Sequence, residues 1–329
     1  MKSPKRYPYP ISEDLPLHDG VKKFVTHLDL IEGRSPNTVK AYARDLVDFM
    51  EWLRDRAGLP SSAGCDRIME SDITGYLGFL GKGRPDEKNP RRKIEISART
   101  LNRRLSALKA FFKFCMRNSL ADSDPTANLS GRRQDKKLPV FLSYTEIVRL
   151  IESIPTGDLA GLRDRAIIEC LYSTGIRVSE LVSLSMGRIP KEGDSFRVIG
   201  KRRKERIVFI GEPAKNAIAA YLAVRRREGF DASDDSPLFM NSRGGRLTQR
   251  SIQRILSVRS QEAGLRVIPT PHSLRHSFAT HLVGGGADLR TVQELLGHAS
   301  LSTVQIYTHL APKELIEKYL KSHPLAKEK

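Results

Sequence analysis

Cysteine is scarce in this chain: 329 residues hold three, Cys65, Cys115 and Cys170. The number is odd, the spacing is wide and no Cys-x-x-Cys occurs, which argues against a disulfide framework and a cysteine-based zinc site. Cys115 and Cys170 fall inside apolar helical patterns and read as small core residues. A reducing, cytosolic setting is the expectation. No apolar run reaches about 18 residues, so no helix of bilayer length is expected. The basic start, residues 1–20, is followed by no apolar stretch and does not read as a secretory signal. There is no Walker-type G-x-x-x-x-G-K, no H-E-x-x-H, no acidic metal cluster and no internal repeat.

Acidic residues are also in short supply. Lys and Arg number 56 against 38 Asp and Glu, a formal net charge of +18. Such an excess says nothing about fold, but it selects partners: nucleic acid first, an anionic membrane surface second. The length fits two domains.

Hydrophobic periodicity divides the chain. Residues 1–16, rich in proline, read as an irregular tail. From 17 to 128 the pattern is helical, with Val21, Phe24, Leu28 and Ile31 on one stripe, and Val39, Tyr42, Leu46 and Phe49 on the next. Ser35-Pro36 and Ser97 are helix-start signals. The helix after Ser97 carries Arg99, Arg103 and Arg104 beside an apolar stripe, Leu101, Leu105 and Leu108, and predicts a basic face. Gly81–Lys93 reads as a charged loop. Residues 129–139 form a basic linker with Arg132, Arg133 and Lys136. A second domain, 140–329, begins helical from a Ser143 or Thr145 cap. It then changes to strand period: Phe196–Ile199 and Arg206–Ile210 predict a β-hairpin around a basic tip, and helices resume from Pro213.

Four local signatures carry chemistry. Thr174-Gly-Ile-Arg-Val-Ser-Glu180 is either a helix junction with a surface arginine, or a turn that points Arg177 into a cleft with Glu180 orienting it. The hairpin tip is either a solvated turn or a finger against phosphates, with Lys201, Arg202, Arg203 and Lys204 as competing candidates. Within Pro271–His281, His272 and His276 share a helix face and invite a zinc hydrolase reading. The adjacent Arg275 weighs against it, and an imidazole beside a guanidinium suits a phosphate instead. Finally, Leu-Leu-Gly-His298 precedes Ser302-Thr-Val-Gln-Ile-Tyr307-Thr-His. Singly, His298 reads as a helix cap and Tyr307 as a core aromatic. Together two arginines, one lysine, two histidines and one tyrosine fit metal-free phosphodiester transfer to a tyrosine hydroxyl, with fixed cations neutralising the developing charge.

These motifs, in this order and spacing, resemble the tyrosine site-specific recombinases, most closely the Xer type of bacteria and archaea, over nearly the whole chain. The resemblance implies a mainly α fold with a small β-hairpin: a helical core-binding domain and an α+β catalytic domain closing as a C-shaped clamp on duplex DNA. It implies Tyr307 as nucleophile, Arg177 and Arg275 as phosphate clamps, Lys201 as general acid, His272 as acid/base, His298 as a further donor and Glu180 as an orienting residue. His276, His281 and His309 are expected to be structural. DNA contacts are expected from Arg99, Arg103, Arg104, Arg132, Arg133, Lys136, Arg202, Arg203 and Lys204. No cofactor and no metal are implied. Expected partners are a specific double-stranded site, a homotetramer or a heterotetramer with a paralogue, and a septal DNA translocase, with no membrane. The helix around Pro312–Leu320 is expected either on a neighbouring protomer or on its own domain. Chromosome-dimer resolution is the implied task. A mobile-element integrase of the same chemistry is the alternative within the class, and a basic architectural factor with an idle site the alternative outside it.

Overall fold

The computed structural model describes residues 11–86, 89–94, 96–133, 141–189, 194–199, 205–296 and 321–324. The chain divides into two compact units, Met1–Lys136 and Lys137–Lys329.

The first unit is helical: α1 (His18–Leu30), α2 (Pro36–Ala57), α3 (Glu70–Gly81) and α4 (Ala98–Arg117). Local chemistry sets the starts. Ser35 accepts a hydrogen bond from the Thr38 amide ahead of Pro36, and Ser97 does the same for Thr100, so each satisfies one of the donors a helix start leaves open. The apolar stripes meet in a core that includes Phe24, Leu46, Phe49, Tyr76, Phe111 and Phe112. Removing each such side chain from water is worth about 1.5–3 kcal/mol. Cys65 and Cys115 are both buried there.

Two expectations are corrected here. Ile11 and Leu15, assigned to an irregular tail, are buried in this core. Within Gly81–Lys93, read as a loop, the backbone forms β1 (Arg84–Asp86) and β2 (Asn89–Ile94), antiparallel with Arg84 opposite Ile94 and an irregularity between Pro85 and Asp86. Prolines at 85 and 90 and a run of charges hide the strand period, because proline is tolerated on edge strands that need not donate at every position.

The second unit holds α5 (Tyr144–Glu152), α6 (Leu159–Thr174), α7 (Val178–Ser183), the hairpin β3 (Ser195–Ile199) and β4 (Glu205–Phe209), then α8 (Glu212–Arg227), α9 (Gln249–Glu262), α10 (Pro271–Gly284) and α11 (Leu289–Leu296). Ser143 starts α5 with a reciprocal capping box to Glu146. Helix α6 is central, buried from Ala166 through Thr174. The hairpin pairs Ser195 with Phe209 and Ile199 with Glu205, so its base is closed on either side of residues 200–204. Near the end of the chain His323 is buried, its ring 5.1 Å from Tyr172 and 5.3 Å from Phe278. The expected helix around Pro312–Leu320 lies outside the described residues.

Candidate active site

The site is built where α6 ends. Gly175 closes α6 with φ of 57°, and a Cβ there would stand 2.5 Å from a Phe278 ring carbon, so the position needs glycine for both conformation and space. The chain then turns through buried Ile176 into Arg177, the N-cap of α7. Glu180, one turn on, holds Arg177 twice: its Oε2 accepts from the Arg177 amide at 2.9 Å and its Oε1 from the Arg177 guanidinium at 2.9 Å. The Glu180 side chain is 2% exposed, whereas that of Arg177 is 28% exposed and reaches the surface.

Glu180 has a second cation. Arg206, on β4, donates Nη2 to Glu180 Oε2 at 2.8 Å. Burial alone would raise the Glu180 pKa, but the Arg206 charge and the hydrogen bonds from Arg177 and Arg206 hold it below the usual carboxylate value. The carboxylate is therefore ionised at neutral pH.

Arg275 enters from α10. Thr270 caps this helix by accepting from the Ser273 amide, and Pro271 takes the first helical position. Arg275 is buried at 7% exposure, and donates to the Gly175 carbonyl at 2.5 Å and to the Leu296 carbonyl at 2.6 Å. Arg206 donates to the neighbouring Leu295 carbonyl at 2.8 Å. Two arginines thus hold consecutive carbonyls at the end of α11, where helical carbonyls lack intrahelical donors and the dipole favours cations. The Arg275 pKa is lowered to about 10, first by burial and then by the Arg177 and Arg206 charges, with Glu180 opposing. It stays protonated at neutral pH. Two guanidiniums paired with the Glu180 carboxylate, and a third close enough to feel all three charges, leave a positive excess suited to a phosphate.

The structure thus brings Arg177, Glu180 and Arg275 together. His272 sits in the first turn of α10, exposed. His276 stands edge-on to Phe141 at 6.2 Å, and the His281 Nδ1 lies 2.8 Å from the Tyr172 hydroxyl. Among the described residues no group of three His, Cys, Asp or Glu is placed to hold a metal ion. Lys201, Arg202, Arg203, Lys204, His298, Tyr307 and His309 lie outside the described residues. The described backbone ends two residues before His298 on one side, and the hairpin base brackets Lys201 on the other.

Arg206 was not among the expected site residues. Its signal is positional: along β4 Glu205 and Ile207 are exposed, while Arg206 is half-buried and Val208 buried. An arginine at an inward strand position needs an acceptor inside the fold.

The expected DNA-contact residues of the first unit separate into two kinds. Arg99 on α4, and Arg132 and Arg133 beyond it, are exposed. The Asn102 side chain fixes the latter stretch, donating to the Arg132 carbonyl and accepting from its amide, both at 2.8 Å. Arg103 is partly exposed and contacts Asp45. Arg104 is a correction. It is buried, donating to Asp48 at 2.6 Å and to the Tyr76 hydroxyl at 2.5 Å, so its guanidinium is committed inside the fold. Lys136 lies outside the described residues.

Comparison with known proteins supplies the context. Residues 141–314 match the model of the phage integrase family, and residues 21–119 match that of the phage integrase N-terminal SAM-like domain. The tyrosine recombinase XerD of Oceanobacillus iheyensis is 37% identical over 311 residues, 94% of this chain and 100% of the relative. The tyrosine recombinase XerC of Myxococcus xanthus is 40% identical over 310 residues, 93% of this chain and 98% of the relative. Among solved structures, the XerH site-specific recombinase bound to difH substrate in a pre-cleavage complex aligns with a TM-score of 0.61 and 25% identity, covering 92% of this chain and 89% of that one. A λ integrase fragment bound as a dimer to a core site shares the fold, with a TM-score of 0.61 at 18% identity, over 86% of this chain and 95% of that one.

Proposed function

From the premise that this chain belongs to the phage integrase family of tyrosine recombinases, which cleave and rejoin DNA, we propose that it is a Xer-type enzyme that resolves chromosome dimers at a dif-like site. The observation that carries the reading is one positively charged corner: Arg177 is held by Glu180, and Arg275 holds the Gly175 carbonyl two residues before Arg177. The full-length similarity to XerC and XerD supports the housekeeping role, and the XerH–difH complex supports a duplex DNA partner.

In this reading the Tyr307 hydroxyl attacks the scissile phosphorus. A P–O bond to tyrosine forms, the P–O bond to the 5′-oxygen breaks, and a 3′-phosphotyrosyl link results. His272 takes the tyrosine proton, and Lys201 gives a proton to the leaving 5′-oxygen. Arg177 and Arg275 hold the non-bridging oxygens and offset the charge that grows on them in the transition state, and His298 donates a further hydrogen bond. One phosphoester replaces another, so the bond energy is conserved and the reverse step rejoins strands. Pairwise exchange through a Holliday junction follows in a tetramer, of one chain or of this chain with a paralogue. Arg99, Arg132 and Arg133 supply phosphate contacts from the first unit.

Covalent capture tests this. The enzyme and Tyr307→Phe are incubated in chelator with nicked fragments of the source genome, denatured in SDS, and the attached DNA is sequenced. Adducts at one chromosomal locus, absent from the variant, are expected. Adducts at several element ends would replace dimer resolution with a mobile-element role. Absence of adducts, even after adding a paralogue, would overturn the catalytic reading.

A further inference from the structure

We propose that Arg206 is a positioning residue for DNA cleavage: its guanidinium sets the Glu180–Arg177 pair and the end of α11 in register with the hairpin that carries Lys201. The proposal rests on the catalytic reading above and extends it to a residue outside the reacting set.

The geometry is specific. Arg206 is held in β4 opposite Val198, one pair inside the Ile199–Glu205 pair that closes the hairpin base. Its Nη2 meets Glu180 Oε2 and its Nη1 meets the Leu295 carbonyl, each at 2.8 Å. One planar group therefore joins three chain segments: the hairpin five residues past Lys201, the helix capped by Arg177, and the helix that ends two residues before His298. Its side chain is 13% exposed and faces inward, so it holds these segments from behind the surface that would meet DNA.

The chemistry requires arginine. Glu180 Oε2 accepts from both the Arg177 amide and Arg206, while Oε1 accepts from the Arg177 guanidinium. Without Arg206, a carboxylate that is 2% exposed loses a charge partner, drifts toward its protonated form and relaxes its grip on Arg177. The Leu295 carbonyl loses its donor at the same time. Lysine offers a point charge and cannot span acceptors on two elements with a rigid fork.

The test uses full-length enzyme and a nicked duplex that traps the phosphotyrosyl product, with Arg206→Ala, Arg206→Lys, Glu180→Gln and the double variant Glu180→Gln/Arg206→Ala. The expected result is a split. Half-saturation by DNA stays within about threefold of wild type, while the cleavage rate at saturation falls on the order of 100-fold, the scale of an ångström-level misplacement. Arg206→Lys does not restore the rate. The double variant is no slower than the slower single one. In Arg206→Ala the residual rate rises with pH as Glu180, now facing Arg177 and Arg275 without Arg206, loses its proton, and the double variant lacks that rise. Multiplicative losses in the double variant, parallel losses of binding and rate, or rescue by lysine would each overturn the proposal. Arg206→Lys and Glu180→Gln keep the test decisive if the alanine variant does not fold. Wild type that forms no adduct removes the catalytic reading and this proposal with it, whereas adducts in wild type with unaffected variants remove this proposal alone.

Discussion

Arg275 donates a hydrogen bond to the carbonyl of Gly175, two residues before Arg177, so the helix that carries Arg275 also fixes the turn that presents Arg177. Gly175 takes a left-handed φ of 57°, and a Cβ there would stand 2.5 Å from a Phe278 ring carbon. Gly175→Ala is expected to destabilise the second unit by about 1–3 kcal/mol, combining backbone strain with crowding. It should also reduce covalent capture more than DNA binding, because the displaced turn carries Arg177. Thermal unfolding with parallel cleavage and mobility-shift assays reads both. An unchanged melting temperature would refute the steric account.

Arg104 and Arg99 lie on one helix and are expected to behave in opposite ways. Arg104 is held by Asp48 and Tyr76 inside the first unit, with Asp45 close by. Arg104→Ala takes one cation from half-buried Asp48 and one of two from buried Asp45, and should cost about 3 kcal/mol of stability. Arg99 is exposed. Arg99→Ala should leave stability within about 0.5 kcal/mol, weaken DNA binding and lower the salt slope of log K by about 0.9 if it neutralises one phosphate. Denaturant melts and binding isotherms across salt concentration separate the two.

That pair also marks how far periodicity reads into this fold. The capped helices and the β3–β4 hairpin follow from Ser35, Ser97, Ser143 and the strand alternation around the basic tip, because caps and apolar stripes are local signals. Arg104 carries a local signal too: it occupies an apolar stripe with Leu101, Leu105 and Leu108, a place where a charge needs a buried partner. Its partners Asp45 and Asp48 come from α2, more than fifty residues away, and only tertiary packing pairs them. Arg206 is the same case on a strand. The corner formed by Arg177, Glu180 and Arg275 was implied by the resemblance to the tyrosine recombinases, but the use of Arg275 and Arg206 to hold the carbonyls of Leu296 and Leu295 was not. Backbone acceptors leave no mark in a sequence. The β1–β2 pairing stayed hidden because its residues are nearly all charged or proline.

Glu169 introduces a pH dependence of known sign. It is buried in α6, its Oε2 meets no hydrogen-bond partner among the described residues, and burial pushes its pKa up to about 7 against the opposing charge of Arg165. The folded state then keeps a proton that the unfolded chain releases near pH 4.5, so this residue's contribution to stability falls as pH rises from about 4.5 to about 7. Glu169→Gln removes the charge and keeps the shape. The variant is expected to match wild type near pH 4.5 and to exceed it at pH 8 on the order of 2–3 kcal/mol. Melting curves at the two pH values check it, and a gain of equal size at both would refute the linkage.

His323 carries a dependence of the opposite sign. Its ring is buried between Tyr172 and Phe278, and the Ser322 carbonyl lies where a Cβ on Gly285 would stand, 2.1 Å away. Burial, then the nearby His281, pushes the His323 pKa down to about 3, with a hydrogen bond to the Tyr172 backbone opposing. His281 itself is lowered by burial, so neither imidazole brings a charge to the pocket at neutral pH. The released chain takes up a proton near the ordinary histidine pKa of about 6.5. The docked segment is therefore fully stabilised above that value and loses stability as pH falls toward 3. At pH 5 the loss is about 2 kcal/mol, 1.5 pH units below the free value. Amide exchange of Lys321–His323 is expected to lose protection between pH 7 and pH 5 after correction for intrinsic rates. His323→Phe keeps an aromatic ring against Tyr172 and Phe278 but takes no proton, and its protection should stay flat over the same range. An equal loss in variant and wild type would move the acid sensitivity to His281, which Tyr172 also contacts through its hydroxyl at 2.8 Å.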